Sequence, residues 1–340
     1  FVVPGSLETR TGGYIYDKRI ISGLRRLDWG LEVCALADTF PAPSPADLEA
    51  ANTVLANRPD GEVVVIDGLA MGTMPSVCGA HADRLRLVAL VHHPLFQETG
   101  IDTQTSDALR RSEIQALQFA RHIVVTSDHT AQSVTAMVGQ RPISVINPGT
   151  EAVASAARRD GNPLRLICVA TLTPRKGHDV LFQALAPLRS LTWQLDCVGS
   201  VDRAPDYVAT LKDQLQSLSL TDKVRLWGEC NDQQLHVLYN QSDLKVLASY
   251  HEGYGMVLSE AITRGLPVIA TRAGAIPEVV GDAGLLVEAG DAEALSAAIE
   301  RYLTDGSLRA RLRDKTVTQA ATFPDWRQSS EQFARVLATL

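Results

Sequence analysis

Two glutamates, Glu252 and Glu260, flank a glycine-bracketed turn in the stretch 249–265. The short apolar run 243–248 before them has the length of a buried strand, and the apolar residues after Gly255 recur at helical spacing. A strand, a tight loop and a helix expose free backbone N–H groups at a helix N-terminus, where anions bind, and glycines allow a ligand close to the backbone. The stretch therefore predicts a site for a phosphate-bearing ligand.

The spacing of the two carboxylates suits a single elongated ligand. Their separation is a little over two helical turns, so Glu260 lies on the same side of the helix as the residues at its start. The alternative is that Glu252 is a solvated loop residue and Glu260 an ordinary exposed helix residue. The apolar neighbours of Glu260, and the buried-looking strand 266–270 that follows, favour the binding interpretation.

A second strand, loop and helix of the same kind occupies 164–185, with Arg175 and Lys176 at the entrance to the helix. Two cations at this place can offset the charge of a diphosphate, and a guanidinium can bind two phosphate oxygens at once. Solvated side chains are the alternative. The next strand, 193–198, ends at Gly199, in a small-residue turn that could touch the same phosphates.

The first half of the chain repeats the pattern, with Gly12 and Gly13 in the loop between its first strand and first helix. This loop is either another anion site or a simple tight turn. Further along, His92 and His93 follow an apolar strand directly, at the carboxyl end where ligands of open α/β sheets bind. A histidine there can donate a hydrogen bond to a sugar hydroxyl, or it can be a structural histidine with its own partner.

The 340 residues exceed the size at which a single core usually stops growing, so two domains are expected. Strands alternate with helical patterns along both halves, which indicates βαβ units and doubly wound α/β sheets. The expected boundaries are 1–150 for the first domain, 151–163 for an alanine-rich linker, 164–322 for the second domain and 323–340 for a final helix.

Composition excludes some functions. A net charge of −7 and a pI near 5.6 disfavour a general nucleic-acid binder, which needs a basic surface. There is no apolar run of about 18 residues, the length of a transmembrane helix, and the opening Phe-Val-Val-Pro predicts a first strand rather than a signal peptide. Five cysteines without metal-ligand spacing predict free thiols in a reducing compartment, hence a cytoplasmic protein.

The segment Glu252-Gly-Tyr-Gly-Met-Val-Leu-Ser-Glu260, with its continuation 265–278, resembles the E-x7-E motif of retaining glycosyltransferases of family 4. That family has the GT-B fold, in which two Rossmann-like, doubly wound domains face each other across a cleft. The resemblance implies that the first domain binds the acceptor and the second binds the nucleotide-sugar donor. It also implies that the helix at 323–340 crosses back to the first domain.

The resemblance assigns roles to matching positions. Glu252 would hydrogen-bond the donor sugar, Glu260 would bind the ribose, and His92 would reach the sugar from the first domain, with His93 as the competing choice. Catalysis is expected of His92, Glu252 and Lys176. The residues expected to bind the donor, followed by those of the acceptor or phosphate loop, are Arg175, Lys176, Gly199, Gly253, Tyr254, Gly255, Met256, Val257 and Glu260, then Gly12 and Gly13.

One departure from the family concerns Ala170 and Thr171, which stand where relatives usually carry Gly-Arg, so that arginine is absent here. The chain also contains no Asp-x-Asp for a metal. The developing charge of a nucleoside diphosphate must still be stabilised, and the cations at 175–176 are expected to replace the metal. No metal and no cofactor are therefore expected.

The resemblance thus predicts a retaining, metal-independent hexosyltransferase that uses a nucleotide sugar, with UDP- and GDP-sugars favoured, and a glycan, lipid or small-molecule acceptor. The alternative is a non-catalytic nucleotide-sugar or carbohydrate-binding subunit on the same fold. A nicotinamide dehydrogenase would need Gly-x-Gly-x-x-Gly after the first strand, and the chain has none. The basic first helix leaves a weak peripheral membrane contact open, although a solvated face is the commoner meaning of such charges.

Overall fold

The structure is a computed structural model that describes residues 1–98, 100–151 and 161–340. The chain divides into two compact units, Phe1–Gly149 with Pro324–Leu340, and Thr150–Phe323. They are called the first unit and the second unit. Residues 152–160, most of the predicted linker, lie outside the described residues.

The strands of the described residues are β1 (Val2–Pro4), β2 (Cys34–Leu36), β3 (Val63–Asp67), β4 (Arg86–Val91), β5 (His122–Val125), β6 (Ile143–Val145), β7 (Leu164–Val169), β8 (Trp193–Val198), β9 (Val224–Leu226), β10 (Leu244–Leu247), β11 (Val268–Thr271) and β12 (Gly284–Val287). The helices are α1 (Gly12–Arg26), α2 (Pro45–Ala56), α3 (Gly68–Met71), α4 (Pro75–His81), α5 (Thr103–Leu117), α6 (Asp128–Val138), α7 (His178–Leu185), α8 (Pro205–Ser217), α9 (Asp232–Gln241), α10 (Met256–Thr263), α11 (Ile276–Val280), α12 (Ala292–Thr304), α13 (Gly306–Ala320) and α14 (Trp326–Ala338).

Each unit is built on a parallel sheet of six strands. The order is β2-β1-β3-β4-β5-β6 in the first unit and β12-β11-β10-β7-β8-β9 in the second. All the pairs are parallel, for example Val88 with His122 and Cys168 with Cys197. Strand β10 is buried along its whole length and β4 at every residue except Arg86, because helices cover both faces of such a sheet and apolar runs suit that environment. The predicted α/β class with doubly wound sheets is confirmed in each unit.

The last helix, α14, packs on α1 within the first unit. A Cβ on Gly23 would collide with Ser330 Oγ, so the absence of a side chain at this position lets the two helices approach closely. The rings of Tyr16 and Trp326 meet edge to face, with centroids 6.0 Å apart. The C-terminal residues are thereby part of the packing of the first unit rather than a loose extension.

No helix within the described parts of the chain is long and apolar enough to cross a membrane. All five cysteines are free thiols, and four of them are buried. Helix α5 begins at Thr103, where the Asp102 carboxylate accepts the Thr105 N–H and caps the first turn.

Candidate functional sites

Glu252 lies in the loop after β10, where its carboxylate is held from two sides. Its Oε1 accepts hydrogen bonds from Lys176 Nζ at 2.6 Å and from Ser249 Oγ at 2.7 Å. Burial alone would raise the pKa of Glu252. The charges of Lys176 and Arg175, with these hydrogen bonds, outweigh burial and lower the pKa to about 2. Glu252 is therefore ionised and fixed in orientation.

Two glycines allow the loops around Glu252 to touch. Gly177, at φ +62°, has no room for a Cβ because one would collide with the carbonyl oxygen of Ala248. Gly274, at φ +60°, lies equally close to the backbone of Glu252, and Ala275 N donates to the Glu252 carbonyl at 2.9 Å. Gly177 thus lets the loop of Lys176 approach the residue that follows β10, and Gly274 lets the loop after β11 approach Glu252.

The cation Arg175 is anchored to the Glu252 loop. Its Nη1 donates to the His251 carbonyl at 2.9 Å and lies 3.9 Å from Glu252 Oε2. Burial lowers the pKa of Lys176 in spite of Glu252, and the Arg175 charge lowers it further. The structure thus brings Arg175, Lys176 and Glu252 together, with both cations beside one carboxylate.

The glycine turn after Glu252 opens α10. Gly255 is the N-cap residue at φ +93°, and no side chain caps the helix, so the first-turn N–H groups of Met256 and Val257 receive no side-chain bond. Gly253 and the buried Tyr254 form the turn before it. Helix α7 likewise begins at a left-handed glycine, Gly177, without a side-chain cap. Both helices that the sequence predicts after these loops are therefore present in the second unit, and each begins at a left-handed glycine.

Glu260 lies on α10 against side chains that the sequence analysis did not identify. Tyr239 Oη donates to its Oε2 at 3.4 Å, and Arg264 Nη1 donates to its backbone carbonyl at 3.0 Å. The Tyr239 ring lies 4.9 Å from the Arg264 guanidinium and 5.9 Å from Lys245 Nζ. Burial raises the pKa of Glu260, against the opposing effect of Arg264, Lys245 and Tyr239. Lys245, a lysine inside the buried strand β10, is the sequence feature that could have revealed this cluster.

Gly199 directly follows β8 at φ +154°, and a Cβ there would collide with the carbonyl oxygen of Ala170. Its N–H donates to the Gly228 carbonyl at 2.9 Å. Only glycine fits this close approach, so the turn has a structural reason for its residue type besides the predicted contact with phosphate.

In the first unit the predicted His92 lies between two carboxylates. Its Nε2 is 3.0 Å from Asp17 Oδ1, on α1, and 3.4 Å from Asp67 Oδ2, at the end of β3. A Cβ on Gly13 would come within 3.1 Å of His92 Cδ2, whereas no atom lies within 4 Å of the corresponding point on Gly12. The glycine loop and the histidine are therefore neighbours, and the two aspartates are site residues that the sequence analysis missed.

The electrostatics of this group favour a charged histidine. Burial alone would lower the pKa of His92, but Asp17 and Asp67 outweigh it and raise the pKa to about 10. Burial raises the pKa of Asp17 to about 7 even though His92 opposes it, and Asp67 adds to the rise. By contrast, His93 Nε2 lies 3.5 Å from the more exposed Glu98. The two adjacent histidines therefore have different surroundings.

Asp17, Asp67 and His92 are also a group of the kind that binds metals. Their ligand atoms lie within 4.8 Å of one another, and carboxylate oxygens with an imidazole suit several divalent transition metals. The same geometry is equally explained without a metal, by a hydrogen bond that His92 Nε2 donates to Asp17 Oδ1. The sequence predicts that the protein needs no metal. In the first unit these three side chains offer the alternative of a metal site, and an experiment that removes metal distinguishes the two.

Two solved structures share this fold. Sucrose-phosphate synthase from Thermosynechococcus elongatus matches with a TM-score of 0.82 and 20% identity, over 99% of this chain and 98% of that one. Anabaena HepE in complex with UDP and glucose matches with a TM-score of 0.77 and 20% identity, over 100% and 99% of the two chains. At this identity the likeness establishes the fold alone, and it confirms the GT-B type.

Sequence comparison adds the family. The D-inositol 3-phosphate glycosyltransferase of Corynebacterium aurimucosum is 29% identical over 286 residues, which are 78% of this chain and 66% of that protein. The chain thus spans just under two thirds of the length of that relative. Residues 150–318, which carry the Lys176, Glu252 and Glu260 positions, match the model of the family described as glycosyl transferases group 1. The match places this segment of the chain among the group 1 glycosyl transferases.

Proposed function

We propose that the protein is a retaining, metal-independent hexosyltransferase that moves a sugar from a nucleotide-sugar donor to an acceptor. The observation that carries the proposal is the ionised Glu252, which Lys176 and Ser249 fix beside the uncapped start of α10. A carboxylate held in this way accepts hydrogen bonds from sugar hydroxyls, and the helix start next to it suits phosphate. In a nucleotide sugar the sugar is bonded to the diphosphate, so Glu252 and the start of α10 would bind adjacent groups of one molecule.

The leaving group is a nucleoside diphosphate, which gains negative charge as the bond from its oxygen to the sugar C1 breaks. Lys176, Arg175 and the N–H groups of 253–257 stabilise that charge, and the Gly199 turn approaches the same phosphates. The acceptor oxygen forms its bond to C1 on the same face. Its proton passes to the departing phosphate oxygen, so no enzyme carboxylate need become covalently attached.

The two glutamates then serve different halves of the donor. Glu252 binds hydroxyls of the sugar, and Glu260 binds hydroxyls of the ribose. Burial makes Glu260 hard to ionise, and hydroxyl donors on the ribose stabilise its charged form. In the first unit His92 contacts the transferred sugar, and Gly12 and Gly13 bind acceptor or phosphate.

A solved structure and a sequence relative support particular donors and acceptors. Anabaena HepE was solved with UDP and glucose, which supports a UDP-sugar as the first donor to test, with a GDP-sugar next. The relative named a D-inositol 3-phosphate glycosyltransferase supports a small phosphorylated polyol among the acceptors, beside glycans and lipids. The acceptor is assigned to the first unit, the donor to the second, and the site of action to the cytoplasm.

The test begins with thermal unfolding of the protein in the presence of UDP, GDP and ADP, which identifies the base. The matching nucleotide sugars are then incubated with an acceptor panel, and mass spectrometry and NMR report the product and its anomeric configuration. Transfer with retention, lost in Glu252→Gln, is the expected result. Donor binding without cleavage or transfer for any acceptor would favour the non-catalytic binding subunit, and an inverted product would exclude the retaining mechanism.

A further inference from the structure

The first unit contains two buried carboxylates that the proposed function does not use. Asp17 is fully buried on α1, points its Oδ1 at His92 Nε2, and has an Oδ2 without a hydrogen-bond partner. Asp67, also buried, lies 3.4 Å from the same nitrogen. Burying a carboxylate is costly unless it is paired, so a pair of them around one imidazole calls for a functional or structural reason.

We propose that Asp17 is the positioning residue of His92: its carboxylate, assisted by Asp67, fixes the imidazole ring and keeps it a hydrogen-bond donor toward the transferred sugar. The inference rests on the proposed function, since His92 is there assigned to the sugar. Within the described residues the hydrogen bond of the His92 ring uses Nε2 and none uses Nδ1, and the side chain is 16% exposed. Nε2 is thus the anchored nitrogen, and Nδ1 is the one left for a ligand.

The neighbours of the ring support an anchored orientation. Tyr16 meets the imidazole edge to face at 5.4 Å, and its hydroxyl donates to the Ile146 carbonyl at 3.0 Å, so the aromatic wall is itself fixed. The side of the ring that carries Cδ2 lies against Gly13, where a larger residue would press on it. The titratable groups around His92 are Asp17 and Tyr16 from α1 and Asp67 from β3, and the carboxylates are what make its charged form favourable.

The consequence is a pH dependence with a definite sign. With both carboxylates present, His92 remains cationic until the pH approaches about 10. In the Asp17→Asn variant, burial still lowers the pKa of His92, and of the two carboxylates only Asp67 remains to raise it. An opposite charge at this distance shifts a pKa by about 1–3 units. If the shift is about 2 units, only about a tenth of the variant's His92 is charged at pH 9.

The experiment measures the imidazole directly and without ligand. The protein labelled with 15N-histidine contains 8 histidines, and His92→Gln assigns the His92 signals. A titration of wild type and Asp17→Asn should show the His92 midpoint lower in the variant by at least about 1 pH unit. Glu98→Gln, which removes the carboxylate beside His93, is the matched control and should leave His92 unchanged. An unaltered His92 midpoint in Asp17→Asn would overturn the proposal.

Activity provides the second readout. Wild type should keep its rate between pH 7 and 9, whereas Asp17→Asn should lose roughly tenfold over that interval and should recover toward pH 6. A uniform loss at every pH would indicate a structural role and contradict the proposal. If Asp17→Asn does not fold, Asp67→Asn carries the same tests, with a smaller shift expected from its longer 3.4 Å contact. If no sugar transfer is found but the His92 midpoint is still lower in Asp17→Asn, the proposed function fails and the pairing of Asp17 with His92 stands. Failure of the proposed function can thus be told from failure of the positioning role.

Metal binding by the same three side chains is the competing outcome. Zinc or manganese added alone would then bind the wild type with one-to-one stoichiometry in calorimetry, and Asp17→Asn would abolish the binding. That result would replace the positioning role with a metal site. The absence of saturable binding at micromolar metal, together with the lowered His92 midpoint, is the result expected here.

Discussion

The ion pair between Lys176 and Glu252 makes a prediction whose size follows from the structure. Lys176 Nζ lies 2.6 Å from Glu252 Oε1, and the two side chains are 15% and 9% exposed. The pKa of Glu252 is about 2, against an ordinary value of 4.5. At about 1.36 kcal/mol per pKa unit, the difference corresponds to about 3 kcal/mol for the ionised carboxylate. The net contribution of the pair is smaller, because burial lowers the pKa of Lys176.

The perturbation is Lys176→Met, which keeps the length of the side chain and removes its charge. Glu252 is then a buried carboxylate that has lost its nearest cation, and removal of one partner of such a pair costs about 3–5 kcal/mol. The double variant Lys176→Met with Glu252→Gln removes both charges. It should be more stable than Lys176→Met alone, because no uncompensated carboxylate remains.

Urea unfolding at pH 7, followed by far-UV circular dichroism, gives the four free energies of a double-mutant cycle. The control is Arg175→Met: its guanidinium donates to the His251 carbonyl and lies 3.9 Å from Glu252 Oε2, so its coupling to Glu252 should be weaker than that of Lys176. The sign with pH is also fixed. A lowered carboxyl pKa stabilises the folded state fully above pH 4.5, and this stabilisation disappears as the pH falls toward 2.

The result that would refute this reasoning is additivity. If the losses of the two single variants sum to that of the double variant within about 0.5 kcal/mol, the side chains are not energetically coupled. The hydrogen bond in the structure would then contribute no measurable stability, and the orientation of Glu252 would have to come from Ser249 and the backbone.

Three further outcomes are expected. Transfer should survive excess EDTA, and complete loss restored by manganese or magnesium would contradict the metal-independent mechanism. Glu260→Gln should weaken binding of the free nucleoside diphosphate about tenfold or more, because a charged hydrogen bond contributes about 1.5–3 kcal/mol. Glu252→Gln should weaken mainly the binding of the sugar-bearing donor. If calorimetry shows that both variants weaken binding of the free nucleotide equally, the two glutamates do not bind different halves of the donor. His92→Ala should lower turnover more than His93→Ala, since His92 lies between two carboxylates and His93 beside the more exposed Glu98; the opposite order in a donor-hydrolysis assay would transfer the role to His93.

Local patterns were enough to predict the doubly wound sheets, because strands buried on both faces read as apolar runs and helices carry a different period. They were weaker where the pattern itself is weak. Helix α13 (Gly306–Ala320) was not predicted: its buried Leu308, Leu312 and Thr316 are separated by charged residues, and tertiary packing rather than a continuous apolar stripe stabilises it.

The same division applies to the site. The sequence by itself determined the position of Glu252, Glu260 and the cations at 175–176, because loop, glycine and helix start are adjacent along the chain. Only the tertiary structure decided which distant side chains complete these groups: Asp17 meets His92 across 75 positions, and Lys176 meets Glu252 across 76. The physical reason is that a parallel sheet brings together, at one edge, the carboxyl ends of strands that are far apart in sequence. The spacing of residues along the chain does not show which strand ends become neighbours.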